Sequence, residues 1–260
     1  MAKIVAVANQ KGGVGKSTTA VNLSAVLHAR GARTLLLDLD PQSNASTGYG
    51  VPRHARTASL YDAMTGSVPA AKLIRHTPYG DIIPANMGLA GVNLELAGEA
   101  DRAYRLRKVA EPLREEYDFI LIDCPPSLEL LTVNALCAAD SVLVPLQCEY
   151  YALEGLGELV STLRMVRRGL NDHLEIEGIL FTMFDSRTRL GLQVVGEVKK
   201  HFPDKVYKTA IARNVRLSEA PSHGKPVIYY DRFSKGAENY QRLGDEFLEK
   251  NAWRPSTNGP

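Results

Sequence analysis

The eight residues Lys11-Gly12-Gly13-Val14-Gly15-Lys16-Ser17-Thr18 constrain this chain more than any other feature. They follow an apolar run, 3–8, and lead into a helical pattern, 19–30, with Val21, Ala25 and His28 on one side. Strand, glycine loop and helix in that order form the context that a phosphate-binding loop requires. Glycines let the backbone bend until its N–H groups converge on phosphate oxygens, and the helix N-terminus adds partial positive charge there. Lys16 brings a full charge to the β- and γ-phosphates, and Ser17 offers a hydroxyl to Mg²⁺. ATP and Mg²⁺ are therefore the expected ligands. The spacing departs from the usual G-x-x-x-x-G-K-[ST]. Gln10 stands where the first glycine belongs, and a second lysine, Lys11, precedes Gly12-Gly13.

Further apolar runs read as strands at 34–39, 118–123, 141–147 and 176–184. Several are apolar throughout, as strands covered on both faces should be. Gly31 reads as the stop of the first helix. Repeated βαβ units predict an α/β fold, a doubly wound and mostly parallel sheet flanked by helices, of the P-loop NTPase class. Residues 50–112 read as helices and loops decorating that sheet. One ATPase domain is expected over 1–250, with a flexible tail at 251–260.

Composition supports a globular protein with its own core: 260 residues, 45% hydrophobic and 23% charged. Cys124, Cys137 and Cys148 form no CxxC pair and read as buried small hydrophobes in a reducing compartment. The first apolar run is too short for a signal peptide or a membrane span, so a cytoplasmic protein is expected.

Three aspartates sit at strand ends. Asp123 closes DFILID, which suits an acidic group holding Mg²⁺ directly or through water. Asp38 and Asp40 close LLLDLDPQ. Ligands of open α/β sheets gather at the carboxyl ends of strands, so all three are expected beside the glycine loop. Hydrolysis needs a group that orients the attacking water, and Asp40 is the candidate. Asp38 is the candidate for a group near the metal.

The stretches NQKGGVGKSTTAVNL, LDLDPQSNAS, IDCPPSLELLTVNAL, QCEYYALEGL, TMFDSRT and RNVRLSEAPSHGKP closely resemble the ParA/Soj family of chromosome- and plasmid-partition ATPases. These carry the deviant Walker A loop of the SIMIBI-like group. The resemblance covers nearly the whole chain. It implies that Lys11 reaches the nucleotide of the opposite subunit and takes part in catalysis with Lys16 and Asp40. It implies that Gly12 lies where two ATP-bound subunits approach. It also implies nucleotide contacts from Gly13, Val14, Gly15, Thr18 and Asn214, and non-specific DNA contacts from Arg187 and Arg216. Metal contacts are expected at Ser17, Asp38 and Asp123. The family usually has proline before its Arg-Asn pair, whereas this chain has Ala212. No N-terminal helix-turn-helix extension precedes the first strand in this sequence.

Net charge is only +2, but residues 185–235 hold eleven Lys or Arg against five Asp or Glu, leaving the rest of the chain at −4. Such segregation fits a phosphate-backbone footprint on duplex DNA. The cycle implied is an ATP-dependent homodimer that binds nucleoid DNA without sequence preference. A ParB-type centromere-binding partner stimulates hydrolysis and releases it. Three rivals share the loop. A MinD-like membrane ATPase ends in a basic amphipathic helix, whereas this sequence ends in DEFLEKNAWRPSTNGP, so no membrane is expected. An iron–sulfur carrier needs bridging cysteines, for which only Cys124 and Cys137 offer themselves. A metabolic enzyme activating a small molecule could turn Asp40 or Glu149 toward its substrate.

Overall fold

The computed structural model describes residues 1–55 and 58–255. Its strands are β1 (Lys3–Val7), β2 (Thr34–Asp38), β3 (Arg75–Thr77), β4 (Gly80–Ile83), β5 (Phe119–Asp123), β6 (Ser141–Gln147) and β7 (Glu175–Thr182). They form one sheet in the order β3-β4-β2-β5-β1-β6-β7. All neighbours run parallel except the edge pair β3–β4. The first helices are α1 (Lys16–Ala29), α2 (Asn44–Gly48), α3 (Leu60–Thr65), α4 (Val92–Glu95), α5 (Arg105–Ala110) and α6 (Leu130–Ala138). There follow α7 (Ala152–Gly169), α8 (Arg189–His201), α9 (Val215–Glu219), α10 (Val227–Tyr230) and α11 (Lys235–Lys250).

Strand side chains alternate between two cores because successive Cβ atoms point to opposite faces. Ile4, Ala6, Leu35, Leu37, Ile120 and Ile122 enter the core beneath α3, α5, α6, α7 and α8. Val5, Val7, Leu36, Phe119 and Leu121 enter the other core, beneath α1 and α11. Both faces of the central strands are covered, so those strands carry no polar face. That is why they read as continuous apolar runs.

The α/β sheet and its parallel order match the expectation, but residues 50–112 do not hold helices and loops alone. They also supply β3 and β4. The segment HTPYGDII is short and polar in part, and it is a strand pair because β4 adds to the edge of β2. Helix α1 begins at Lys16 and not at residue 19, because Gly15 in the left-handed region (φ 89°) is its N-cap.

Helix α11 is amphipathic, and its apolar side is used inside the fold. Tyr240, Leu243 and Phe247 are fully buried against the α1 side of the sheet. Each contributes about 1.5–3 kcal/mol by burial. Residues 251–253, at the start of the expected tail, are also tied down: Asn251 donates to Glu177 at 2.9 Å, and Trp253 packs near Phe119. Residues 256–260 of that tail lie outside the described residues.

Candidate active site

Strand register brings the expected residues together. Val7, the last residue of β1, pairs with Asp123, and Asp123 pairs with Asp38. The glycine loop therefore leaves the central strand beside two buried carboxylates. The loop is braced from below and from both flanks. Asn9 Nδ2 donates to the Pro145 carbonyl at 2.8 Å, and Asn9 Oδ1 accepts the Lys11 N–H at 3.0 Å. Thr182, at the end of β7, donates to the Val14 carbonyl at 2.8 Å.

Gly12, Gly13, Gly15, Lys16, Ser17 and Thr18 line a cleft of about 350 Å³ together with Asp40, Asn44, Pro126 and Lys225. Gly13, Gly15 and Thr18 also border an adjoining cleft of about 510 Å³. Its walls are Met183, Ile211, Ala212, Leu217 and Tyr240, with Asn214 at the rim. The two share Gly13, Gly15 and Thr18, and their mostly apolar walls with a few converging polar groups are the layout of a small-molecule site.

Lys16 is buried, and its ammonium donates to the Lys11 carbonyl at 2.9 Å. Burial lowers its pKa, offset in part by Asp123, Cys124 and Asp40. Asp123 is fully buried, and neither carboxylate oxygen has a hydrogen-bond partner. Burial and the charge of Asp38 hold its pKa well above the ordinary carboxylate value, which the nearby Ser17 and Lys16 only partly offset. A buried carboxylate without donors is costly. Its open lone pairs beside a lysine and a hydroxyl fit a hard cation. Among the described residues no cluster of three or more His, Cys, Asp or Glu is placed to hold a metal. Magnesium, which takes one or two carboxylates and completes its shell with water and substrate phosphate, is the cation that such a donor set suits.

Asp38 is equally buried but fully engaged. Its oxygens accept the N–H of Asp40 and both donors of Ser46. Asp40 is buried at the cleft edge, and its Oδ1 accepts the Gln42 N–H at 2.9 Å. Lys11 does not reach into the cleft of its own chain. Its ammonium pairs with Glu149 at 2.5 Å. Asn214 caps α9, its Oδ1 accepting the Arg216 N–H at 2.9 Å, which leaves its amide N–H₂ group for the adjoining cleft. Arg187 and Arg216 are not in either cleft. Arg187 makes a two-point pair with Asp185, and Arg216 bridges Glu219 and Asp231.

Several lining residues escaped the sequence reading. Asn22 fastens α1 to α10, donating to the Thr18 carbonyl and accepting the Val227 N–H at 2.6 Å. Lys225 was legible only as one of many basic residues. It lines the cleft next to Gly224, which meets Gly50 backbone to backbone. A Cβ on Gly50 would stand 2.8 Å from the Gly224 carbonyl oxygen, and both glycines have positive φ. Cys124 and Cys137 are buried and Cys148 is half-buried, and burial raises all three thiols. Among the described residues no helix is long and apolar enough to cross a membrane.

Comparison with known proteins agrees with this arrangement. A family model described as an AAA domain matches residues 2–176. The chain is 54% identical over 248 residues to the sporulation initiation inhibitor protein Soj of Bacillus subtilis, covering 95% of this chain and 98% of that protein. It is 52% identical over 250 residues to the chromosome partitioning protein ParA of Myxococcus xanthus, covering 95% and 88%. The crystal structure of cobyrinic acid a,c-diamide synthase from Mycobacterium smegmatis with bound ADP and magnesium has a TM-score of 0.85 at 36% identity, over 97% of this chain and 96% of that one. With its phosphate loop, its paired strand-end carboxylates and this likeness along almost all of its length, the chain is an ATPase and belongs to the ParA/Soj family of chromosome-partitioning ATPases.

Proposed function

We propose that this chain is a DNA-partitioning ATPase whose ATP-bound homodimer holds nucleoid DNA without sequence preference. Hydrolysis stimulated by a ParB-type partner then dissolves the dimer and releases the DNA. The observation that supports the nucleotide half of this reading is the unpartnered, buried Asp123 carboxylate beside Lys16 and Ser17. In this reading the backbone N–H groups of residues 12–17 and the Lys16 ammonium grip the phosphates. Ser17 and Asp123 would hold Mg²⁺, whose positive charge would offset that of the phosphates. Asp40 orients the attacking water. Asn214 presents its amide to the base, and the apolar walls of the adjoining cleft take the ring.

Location follows from the same reading: a cytoplasmic, nucleoid-associated protein with no membrane partner. The apolar face of α11 is already committed to the core, which argues against α11 itself as a membrane-seeking helix. The family supplies the DNA half, supported by the exposed basic segment that carries Arg187 and Arg216. The experiment is DNA binding with ATP, ADP and no nucleotide, with mass measured in parallel by light scattering. The expected result is duplex binding only by an ATP-dependent dimer. Binding that ignores nucleotide, or a monomer throughout, would overturn it. The 36% identity to a synthase favours a second reading, an ATPase that activates a small molecule. Turnover stimulated by a small acid substrate and indifferent to DNA and partner would favour that second reading.

A further inference from the structure

The segment that carries Asp40 is held at both ends by one carboxylate. Asp38, the last residue of β2, is fully buried. Its Oδ1 accepts the N–H of Asp40 at 3.2 Å. Its Oδ2 accepts the N–H of Ser46 at 2.7 Å and the Ser46 hydroxyl at 2.6 Å. The Ser46 oxygen in turn accepts the N–H of Ala85 at 3.1 Å, just past β4. The loop between the two tether points is tightly shaped. Ser43 holds a left-handed backbone (φ 57°) at the start of α2. Its hydroxyl donates toward the Pro41 and Ala85 carbonyls.

Asp123 is the natural contrast. It lies beside Asp38 in register and is buried as deeply, yet it has no hydrogen-bond partner. One carboxylate has its lone pairs open; the other has spent three of them on the loop. We propose that Asp38 and Ser46 form a positioning pair that fixes where Asp40 stands, and that Asp38 is not a ligand of the metal. The chemistry explains why the residue must be a carboxylate. Three donors converge on it, and only a group with acceptors alone satisfies all three. An amide at this position would turn an N–H₂ group against either the Asp40 N–H or the Ser46 donors. The inference rests on Asp40 being the carboxylate needed for hydrolysis.

The test compares Ser46→Ala, Asp38→Asn and Asp40→Ala, with Ser46→Ala also placed on the Asp40→Ala background. Four quantities are read from the full chain: ATP affinity by calorimetry, the Mg²⁺ concentration that half-saturates nucleotide binding, single-turnover hydrolysis, and amide exchange over residues 40–46. Ser46→Ala and Asp38→Asn should each slow hydrolysis roughly tenfold or more. ATP affinity and Mg²⁺ half-saturation should not move, and exchange over 40–46 should quicken. On the Asp40→Ala background Ser46→Ala should cost nothing further, because it acts through Asp40. A large rise in Mg²⁺ half-saturation for Asp38→Asn alone would make Asp38 a metal ligand and overturn the proposal. So would unchanged exchange and unchanged turnover in folded Ser46→Ala. Full hydrolysis by Asp40→Ala would instead defeat the reading of Asp40, whereas the exchange data judge the pair itself. If Ser46→Ala does not fold, Asp38→Asn gives the same readouts.

Discussion

Lys11 and Glu149 meet at 2.5 Å although 138 residues separate them in sequence. Glu149 lies just past β6, so the pair joins two loops at the carboxyl edge of the sheet. One position earlier, the Gln10 amide donates to Glu158 on α7. Both partners of the ion pair are nearly half exposed, so it adds at most about 1 kcal/mol to stability. Its consequence lies in what it restrains. The family resemblance gives Lys11 the nucleotide of the opposite subunit, and in the single chain that lysine is held at home. Glu149→Gln should leave the thermal midpoint almost unmoved and shift ATP-dependent dimerisation to lower protein concentration. Light scattering over a protein titration reads this directly. Dimerisation that is unchanged or weakened would show that Glu149 does not restrain Lys11.

Asp123 should trade stability for ligand binding. Burial raises the carboxyls of both Asp123 and Asp38, and that of Asp38 reaches about 6 from 3.8. Such a group binds its proton more tightly in the folded chain. Its contribution is full below the unfolded pKa and is lost as pH rises through the folded one. For Asp38 that window runs from about 4 to about 6. At pH 7.5, without nucleotide, Asp123→Asn should therefore be more stable than the parent by about 1–3 kcal/mol, since it removes an uncompensated buried charge. The difference should shrink as pH falls, and the stabilisation by Mg²⁺ with ATP should be lost. Denaturant melts at several pH values check both halves. An Asp123→Asn chain less stable than the parent at pH 7.5 would contradict the reading.

Gly12 offers a cleaner test of assembly. Its φ is not in the left-handed region, and a Cβ built there meets nothing within 4 Å. Gly12→Val should fold and bind ATP normally. If a second subunit approaches at this point, the added isopropyl group should keep the variant monomeric with ATP. Calorimetry and light scattering on one sample separate the two effects. A dimer of parental affinity would remove Gly12 from the interface.

The parts legible in the sequence are those whose cause is local. A phosphate loop needs glycines and a lysine within a few residues, and strands covered on both faces need apolar runs. The parts that were not legible depend on partners elsewhere in the chain. Strands β3 and β4 are short and exist as an addition to β2. Asp38 looks like any acid at a strand end until Ser46, eight residues on, folds against it. Lys225 lines the cleft from a segment more than 200 residues beyond the glycine loop, beside the meeting point of Gly50 and Gly224. None of these leaves a periodic pattern, so spacing alone could not have assigned them.

The basic segment yields the last prediction. The family resemblance assigns DNA contacts to Arg187, between β7 and α8, and to Arg216, in α9, but neither is a free charge. Asp185 accepts both a side-chain pair and the backbone N–H of Arg187, and those bonds bring its pKa down to about 2. Arg216 is shared between Glu219 and Asp231. Phosphates must therefore compete with carboxylates already in place, and the charge of each arginine is offset before DNA arrives. Arg187→Ala and Arg216→Ala should each weaken binding to every duplex alike and reduce the salt slope of log K by about one unit. Asp185→Asn should act in the opposite sense, tightening DNA binding most at low salt, because it frees Arg187 without touching the nucleotide cleft. Arg216 follows Asn214 by two positions, and its N–H is capped by that side chain. ATP affinity must therefore be measured on the same variant. If Arg216→Ala loses ATP affinity first, its effect on DNA is secondary. If Asp185→Asn and the double arginine variant both leave DNA binding unchanged over a range of salt, these arginines do not touch the backbone, and the footprint must lie with Lys199, Lys200 and Lys225.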